Sequence, residues 1–214
     1  MAYEDVKQQV INACQFLLSS GLLRGTSGNV SIRCDEDTLA VSPSGIPYNT
    51  LKVEDIPLID YHGNVKEGEK KPSSETPMHT IIYRNRPDVG AVVHCHALYS
   101  TAFSSSKYEK LPVVTVPLIR YDPVWVAPFE IPGSEELAES TMKYLGETGS
   151  ALILQHHGII TACKDIDKAL ACCSYVEEAA QAAFIAYQLS DEPSVIPQEV
   201  IDKLMHRVKA GGAL

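Results

Sequence analysis

The sequence predicts a single α/β domain in which many short strands form a mixed or largely antiparallel sheet. The chain has 214 residues, which suits one domain with a sizeable core, and 45% of them are hydrophobic and 21% charged, an ordinary globular composition. Strand-like and helix-like apolar periods follow one another, but without the regular strand–helix–strand rhythm of a parallel sheet. We find no repeat, low-complexity tract or linker, so we expect one domain over residues 1–214.

The N-terminal part of the chain is typical of one helix followed by short strands. Residues 4–20 place apolar side chains on one helical face, and Gly21 ends the pattern. Alternating or apolar runs then predict three short strands, at 29–33, 38–45 and 56–60. The polar stretch 61–74 is predicted to be a loop.

A second helix is predicted next to the first strongly buried strand. It covers residues 75–86, with Ser73 or Ser74 as its cap and Pro77 in its first turn. The apolar run within residues 88–97 predicts a buried strand.

The second half of the chain continues with the same two kinds of segment. We expect, in order, a short helix at 97–105, strands at 111–116 and 124–129, a helix capped by Ser134, a strand–turn–strand unit at 150–163, a long helix at 166–189 and a last helix opened by Pro197.

Composition and charge exclude several classes of protein. The formal net charge is -9 and the pI is near 5.2, which argues against a general nucleic-acid-binding protein. No apolar run approaches the ~20 residues that a membrane span needs, and the polar, acidic first residues do not resemble a secretory signal. The six cysteines form no CxxC pair, so we expect reduced thiols in a cytoplasmic protein that has neither a nucleic-acid nor a membrane partner.

Histidines follow apolar runs at two places in the chain. His94 and His96 lie two residues apart at the end of a predicted strand, so they face the same side. An isolated pair is equally consistent with hydrogen-bonded histidines, but a second apolar run ends in His156 and His157 before Gly158. We favour His157 as the third ligand and His156 as a hydrogen-bonded neighbour, because three histidines with an open fourth position describe a catalytic metal site. Imidazole ligands favour zinc first, then manganese, cobalt or iron. The other histidines are expected to be solvated or packed: His62, His79 and His206.

Three turns of small residues indicate an anion site. "GTSGN" (25–29), "SPSG" (42–45) and "KPSSE" (71–75) each offer hydroxyl groups and close backbone approach. Taken alone, the serines of the third turn are more typical of a helix cap than of a ligand site. If the turns converged, their N–H and O–H groups would form a phosphate pocket without a lysine.

Five motifs together resemble the class II aldolase/adducin family. They occur in the order "GTSGNVS", "SPSGIPY", "KPSSE", "HCHA" and "QHHG", and the match runs from about residue 5 to about residue 205. The resemblance implies metal ligands at His94, His96 and His157, a catalytic glutamate at Glu75, and phosphate-binding groups at Gly28, Asn29, Ser44, Gly45, Ser73 and Ser74.

The resemblance also implies a fold and an activity. The fold is one α/β domain with a central, mostly antiparallel sheet flanked by helices. The activity is retro-aldol cleavage of a ketose 1-phosphate, such as fuculose 1-phosphate, to dihydroxyacetone phosphate and a small aldehyde. The implied cofactor is one Zn²⁺ per subunit, with Mn²⁺ or Co²⁺ as alternatives. The implied assembly is a homotetramer with active sites at subunit interfaces.

Two departures from the family pattern bear on the substrate. Family aldolases handle the aldehyde half with two tyrosines, but Val116 takes the first place and "KAGGAL" (209–214), at the second, has no tyrosine. Tyr121 lies near the first place and could substitute for it. Pentulose-phosphate aldolases, methylthioribulose-phosphate dehydratases and 4-epimerases remain alternatives, although the epimerases carry aspartate where Glu75 stands. A non-catalytic adducin-like module, which lacks the metal histidines, is a further alternative.

Overall fold

The computed structural model describes residues 3–190 and 194–209, and a sheet of eight strands runs through its centre. The strands are β1 Gly28–Arg33, β2 Leu39–Val41, β3 Leu58–Ile59, β4 Val65–Glu67, β5 Ala91–Cys95, β6 Trp125–Ala127, β7 Ala151–Leu154 and β8 Gly158–Cys163. Their spatial order is β4-β3-β2-β1-β5-β8-β7-β6. Among the strands of the described ranges, β6 and β7 pair parallel and all other neighbours pair antiparallel. The predicted fold class is therefore confirmed.

Helices cover both faces of this sheet. They are α1 Glu4–Ser19, α2 Thr76–Asn85, α3 Leu98–Ser104, α4 Glu135–Leu145, α5 Ile166–Leu189 and α6 Gln198–Lys209. One apolar core forms between the sheet and the helices α1 and α5, and a second forms between the sheet and the helices α2 and α4. The two cores divide the side chains of β5, because successive residues of a strand point to opposite faces. Val93 and Cys95 enter the first core, whereas Val92 enters the second.

The first turns of the helices largely follow their sequence signals. Ser134 Oγ accepts a hydrogen bond from Leu137 N at 3.1 Å and caps α4, as predicted. Pro77 lies in the first turn of α2, also as predicted. No helix of the described ranges is both long and apolar enough to cross a membrane.

The strand predicted at 111–116 is wrong. This segment is irregular, and residues Val116–Tyr121 form a 3-10 turn. Pro112 and Pro117 lack the N–H groups that a strand would donate to its neighbour. The carbonyl of Val113 accepts instead from Ile196 N at 2.8 Å, so the segment pairs with the chain before α6.

The loop predicted at 61–74 contains the short edge strand β4. The chain reverses between β3 and β4 because the Asp60 carboxylate accepts from the N–H groups of His62 and Asn64, at 2.8 and 2.9 Å. Gly63 completes the turn with φ +88°, a conformation that favours glycine. Val65 of β4 is 51% exposed, which explains why the segment has no apolar pattern of its own.

Candidate active site

The three predicted metal ligands meet at one end of the central strands. His94 lies in β5, His96 follows β5, and His157 stands in the turn between β7 and β8. Gly158 allows this approach, because a Cβ atom there would lie 2.4 Å from the carbonyl oxygen of Cys95. The end of β5 and the start of β8 therefore come into direct contact, and the histidines with them.

Glu75 completes a compact cluster of four possible ligand side chains. The three imidazole rings lie 4.7 to 4.9 Å apart between centroids. The Nε2 atoms of His94 and His96 are 3.0 Å apart. The Glu75 carboxylate places Oε2 3.2 Å from His94 Nε2 and Oε1 3.1 Å from His157 Nε2. The ligand atoms of these four residues all lie within 4.8 Å of one another.

The cluster fits a divalent metal ion. His94 Nδ1 lies 2.9 Å from the carbonyl oxygen of Ile159, which can only accept, so Nδ1 carries the proton and Nε2 keeps its lone pair. This is the usual way in which a backbone carbonyl fixes the tautomer of a ligating histidine. In a tetrahedral site with bonds of ~2.0–2.1 Å, ligand atoms lie roughly 3.3 Å apart, close to the separations seen here. His157 Nδ1 is buried without a hydrogen-bond partner, so its imidazole is held mainly by what its other nitrogen contacts.

Burial and charge determine the protonation of the cluster. Burial opposes ionisation of Glu75, but attraction and hydrogen bonding from His94 and His157 hold its pKa well below the usual value. Burial, with the neighbouring His94 and His157, lowers the pKa of His96 to about 4. The site therefore favours a carboxylate at Glu75 and an uncharged imidazole at His96, and both are the ligand states that metals require.

A buried layer of polar side chains supports Glu75 from behind. Asn29 Nδ2 donates to Glu75 Oε2 at 2.8 Å, and Asn29 Oδ1 lies 2.5 Å from His79 Nε2. The other nitrogen of His79 lies 2.6 Å from Ser31 Oγ. The prediction that His79 is solvated or packed is confirmed as packed, since it is 0% exposed. Its contact with Asn29 was not predicted, although its place one helical turn after Glu75 is a signal for it.

The start of α2 differs from the prediction. Neither Ser73 nor Ser74 caps this helix: Glu75 occupies the cap position, and its side chain makes no cap hydrogen bond. The carboxylate turns instead toward His94, His157 and Asn29. Ser73 Oγ accepts from Glu75 N at 3.3 Å and so fixes the backbone just before the helix.

The three small-residue turns converge on one cavity of about 510 Å³, a volume in the usual range for small-ligand sites. Its walls include all six predicted phosphate-binding residues and three of the four cluster residues: Gly28, Asn29, Ser44, Gly45, Ser73, Ser74, Glu75, His96 and His157. The fourth, His94, is fully buried beneath them.

Hydrogen bonds between backbone groups hold the turns together. Ser44 N donates to Lys71 O at 2.9 Å, and Ser73 N donates to Ser42 O at 3.1 Å. Ser42 is itself paired with β1, where its Oγ accepts from Val30 N at 3.1 Å. The Tyr48 hydroxyl donates to the carbonyl of Gly28. These bonds use the backbone N–H groups of Ser44 and Ser73 and fix the three turns relative to one another around the cavity.

The residues assigned to the aldehyde end are not part of this cavity within one chain. Its walls do not include Val116, Pro117 or Tyr121, all of which the structure describes. Tyr121 packs against Tyr175 of α5, with 6.2 Å between ring centroids. The C-terminal residues 210–214, where the second tyrosine of the family pattern is missing, lie outside the described residues.

Two further residues fix the backbone beside the histidines: His156, which was expected only as a hydrogen-bonded neighbour, and Glu177, to which the sequence assigned no role. His156 adopts φ +56° in the turn before His157, where its backbone N–H donates to Ser104 Oγ at 2.9 Å. Glu177 of α5 accepts from Tyr99 N and Ser100 N, each at 2.8 Å, and so fixes the start of α3 just after His96. Their partners lie 52 and 77–78 residues away along the chain, so local sequence carries no signal for these contacts.

Comparisons with known proteins agree with this geometry. The family described as "Class II Aldolase and Adducin N-terminal domain" matches residues 8–184. A 5-deoxy-D-ribulose 1-phosphate aldolase of Bacillus thuringiensis serovar kurstaki is 34% identical over 99% of both chains. An L-fuculose phosphate aldolase of Escherichia coli K12 is 34% identical over 99% of this chain and 98% of its own. A solved structure of an L-fuculose 1-phosphate aldolase superimposes with a TM-score of 0.88 at 33% identity, covering 98% of both chains.

Proposed function

The chain belongs to the class II aldolase and adducin family and is a metal-dependent aldehyde-lyase within it, and we propose that it cleaves a ketose 1-phosphate to dihydroxyacetone phosphate and a small aldehyde. One observation carries the proposal. The cluster of Glu75 with His94, His96 and His157 stands at a cavity whose other walls are the three small-residue turns. The proposed metal site and the proposed anion site are therefore close enough for one small molecule to contact both.

His94, His96 and His157 would hold the metal ion. A bound divalent cation acts as a Lewis acid on substrate oxygens and spreads the negative charge that C–C cleavage leaves behind. Zn²⁺ is the proposed ion, with Mn²⁺ or Co²⁺ as alternatives, because an all-imidazole set suits these metals. The inference that a divalent metal binds here, whichever ion it is, rests on the family and on the ligand cluster together.

Glu75 is the proposed proton carrier. Cleavage leaves an electron pair on the carbon next to the carbonyl, and a proton must reach that carbon to release dihydroxyacetone phosphate. The Glu75 carboxylate contacts two of the proposed metal ligands and also lines the cavity. It is therefore within reach of a substrate whose oxygens approach the metal, which is the geometric requirement for general acid–base catalysis.

The proposed phosphate site consists of uncharged donors from Gly28, Asn29, Ser44, Gly45, Ser73 and Ser74. A chain of net charge -9 repels an anion at long range, so recognition must come from groups at short range. N–H and O–H groups directed at one point act as a fixed positive potential. Binding the phosphate there would orient the reacting carbons toward Glu75 and the metal.

The larger organisation of the enzyme is also part of this proposal. We propose one domain over residues 1–214 and a homotetramer with active sites between subunits, where a partner chain would complete the aldehyde end. Phe129 supports such an interface, since it is 50% exposed and its ring centroid lies 6.2 Å from that of His156, which lines the cavity. We also propose the cytoplasmic location that the sequence predicts, and the six cysteines, which are all free thiols, support it.

Two alternatives to this function place different demands on the site. A non-catalytic adducin-like module would lack the metal histidines, whereas this chain brings three of them together with a carboxylate. A pentulose-phosphate substrate is the second candidate, favoured by a relative named 5-deoxy-D-ribulose 1-phosphate aldolase at the same 34% identity as the L-fuculose phosphate aldolase.

A panel assay tests the proposal. The protein, loaded with zinc or manganese, would be incubated with fuculose 1-phosphate, 5-deoxyribulose 1-phosphate, other ketose 1-phosphates and the same sugars without phosphate, and the aldehyde product, which both forms of a sugar release on cleavage, would be measured. We expect release from at least one 1-phosphate and none from the same sugar without phosphate. Equal cleavage of the unphosphorylated sugar would refute the phosphate pocket, and no release from any member would refute the aldolase activity.

A further inference from the structure

We propose that His79 is a positioning residue that acts through Asn29 to fix the carboxylate of Glu75 for proton transfer. The inference rests on the proposed function, because that function gives Glu75 its role. His79 is not among the residues that line the cavity, and the hydrogen bonds described for its side chain are to Asn29 and Ser31.

The orientation of the Asn29 amide follows from its two neighbours. Asn29 lies 2.8 Å from Glu75 Oε2 on one side and 2.5 Å from His79 Nε2 on the other. An ionised carboxylate can only accept hydrogen bonds, so the amide must turn its NH₂ group toward Glu75. Its oxygen then faces His79, and His79 Nε2 must carry the proton that it donates to that oxygen.

The same reasoning determines whether the other ring nitrogen of His79, Nδ1, carries a proton. His79 is fully buried, and burial lowers its pKa to about 3, so it carries a single ring proton near neutral pH. With that proton on Nε2, Nδ1 must accept, and Ser31 Oγ at 2.6 Å must donate to it. The result is one row of hydrogen bonds that runs from Ser31 through His79 and Asn29 to Glu75.

Regular secondary structure holds this row at both edges. Asn29 and Ser31 are two residues apart on β1, a separation of about 6.7 Å along a strand. Glu75 and His79 are four residues apart at the start of α2, about 6 Å along a helix. The two repeats match, so Asn29 contacts both Glu75 and His79 while Ser31 contacts His79, and the helix cannot turn or slide without breaking the row.

This arrangement has a consequence for the reaction. Glu75 is attracted to two histidines of the cluster, and a freely rotating carboxylate could satisfy both without facing the substrate carbon. The hydrogen bond from Asn29 positions Glu75 Oε2. The Asn29 amide keeps the orientation needed for this bond only while His79 donates to the amide oxygen. Removing His79 should therefore lower kcat while leaving the metal ligands intact.

Variants at position 79 separate positioning from folding. In His79→Phe the ring volume remains but both hydrogen bonds are lost, whereas in His79→Gln an amide N–H remains near the position of Nε2. We expect kcat to fall about tenfold or more in His79→Phe, with metal content unchanged and KM changed less than threefold. His79→Gln should recover part of the loss. The matched control is Thr80→Val. Thr80 is 2% exposed, so it is as buried as His79, and among the contacts described for its side chain the hydroxyl donates only to Pro77 O.

A double-mutant cycle tests whether His79 acts through Asn29. If it does, adding His79→Phe to Asn29→Ala should change kcat by less than about twofold, because the route is already broken. Losses that multiply, no rescue by His79→Gln, or an equal loss in Thr80→Val would overturn the proposal and leave a general effect on folding.

Spectroscopy distinguishes failure of this inference from failure of the proposed function. In the full-length protein with ¹⁵N-labelled histidine, the His79 signals are identified by their loss in His79→Phe. We expect a neutral ring with its proton on Nε2 and a shift of that signal in Asn29→Ala, whatever sugar the enzyme accepts. A proton on Nδ1 would refute the row of hydrogen bonds, whereas the absence of cleavage with the expected tautomer would refute only the proposed function.

Discussion

Replacing Glu75 by glutamine removes the proposed proton carrier and changes little else in the site. The amide has the same shape as the carboxylate, and the side chain is 8% exposed, so the surrounding packing should persist. His94, His96 and His157 keep their Nε2 atoms, so the divalent ion should stay bound. The change is therefore nearly limited to the loss of a group that can accept and return a proton.

The magnitude follows from that limited change. One general acid–base group contributes ~10²- to 10⁴-fold to a rate, which is about 2.7–5.4 kcal/mol of barrier at ~1.36 kcal/mol per factor of ten. We expect kcat of Glu75→Gln to fall by this factor. KM should change little, because the phosphate-binding groups of Ser73 and Ser74 are untouched.

The assay follows release of dihydroxyacetone phosphate over a range of substrate concentrations, with metal content measured on the same sample. Glu69→Gln is the control, since Glu69 is exposed, lies six residues before Glu75 and loses the same charge. The reasoning is refuted if Glu75→Gln retains wild-type kcat, or if it loses the metal and activity together.

Three other perturbations have expected outcomes. Ser74→Ala should raise KM for the sugar phosphate about tenfold or more, since a hydrogen bond to a charged group contributes roughly 1.5–3 kcal/mol; an unchanged KM would exclude Ser74 from the phosphate site. Wild type should cleave several ketose 1-phosphates and prefer methyl-ended over hydroxymethyl-ended ones, because Val116 and the segment 209–214 stand where the family has two tyrosines, and apolar groups at the aldehyde end would discriminate by only ~1–3 kcal/mol; a single accepted substrate, with selectivity collapsing in Tyr121→Phe, would instead assign recognition to Tyr121. The buried His79, with its pKa lowered to about 3, stays neutral while the unfolded chain takes up a proton below about pH 6.5. The free energy of unfolding should therefore fall as pH drops from about 6.5 to about 3, by up to ~1.4 kcal/mol per pH unit, and urea titrations should show this part of the slope missing in His79→Phe.

The central strands and the long helices were predictable because their local pattern agrees with their final environment. The run Ala91–Val93 is apolar and all of Ala91–Cys95 is buried, as a strand between two helical layers requires, and α5 carries a long apolar stripe. The segment 111–116 looked equally apolar, but Pro112 and Pro117 removed the donors that pairing needs. The strand β4 was missed for the opposite reason: it pairs at the sheet edge and buries little.

The site residues were identifiable as residue types, but their supporting contacts were not. The three histidines and Glu75 lie in motifs that resemble those of the class II aldolase/adducin family and follow in the same order, and the structure brings these residues into one cluster. By contrast, Asn29 was assigned to the phosphate only, whereas its amide also contacts Glu75, 46 residues away in sequence. That contact depends on the register between β1 and α2, which no local pattern encodes. For the same reason, Tyr121 lies against α5 rather than at the cavity within one chain.

Metal reconstitution decides whether cleavage depends on an ion held by His94, His96 and His157. The protein is stripped with a chelator and titrated with Zn²⁺, while bound metal and release of dihydroxyacetone phosphate from a ketose 1-phosphate are measured together. We expect one ion per chain and activity that rises in proportion to it, and His94→Ala should show neither. Full cleavage by the metal-free protein, or a His94→Ala variant that keeps both metal and activity, would contradict the account.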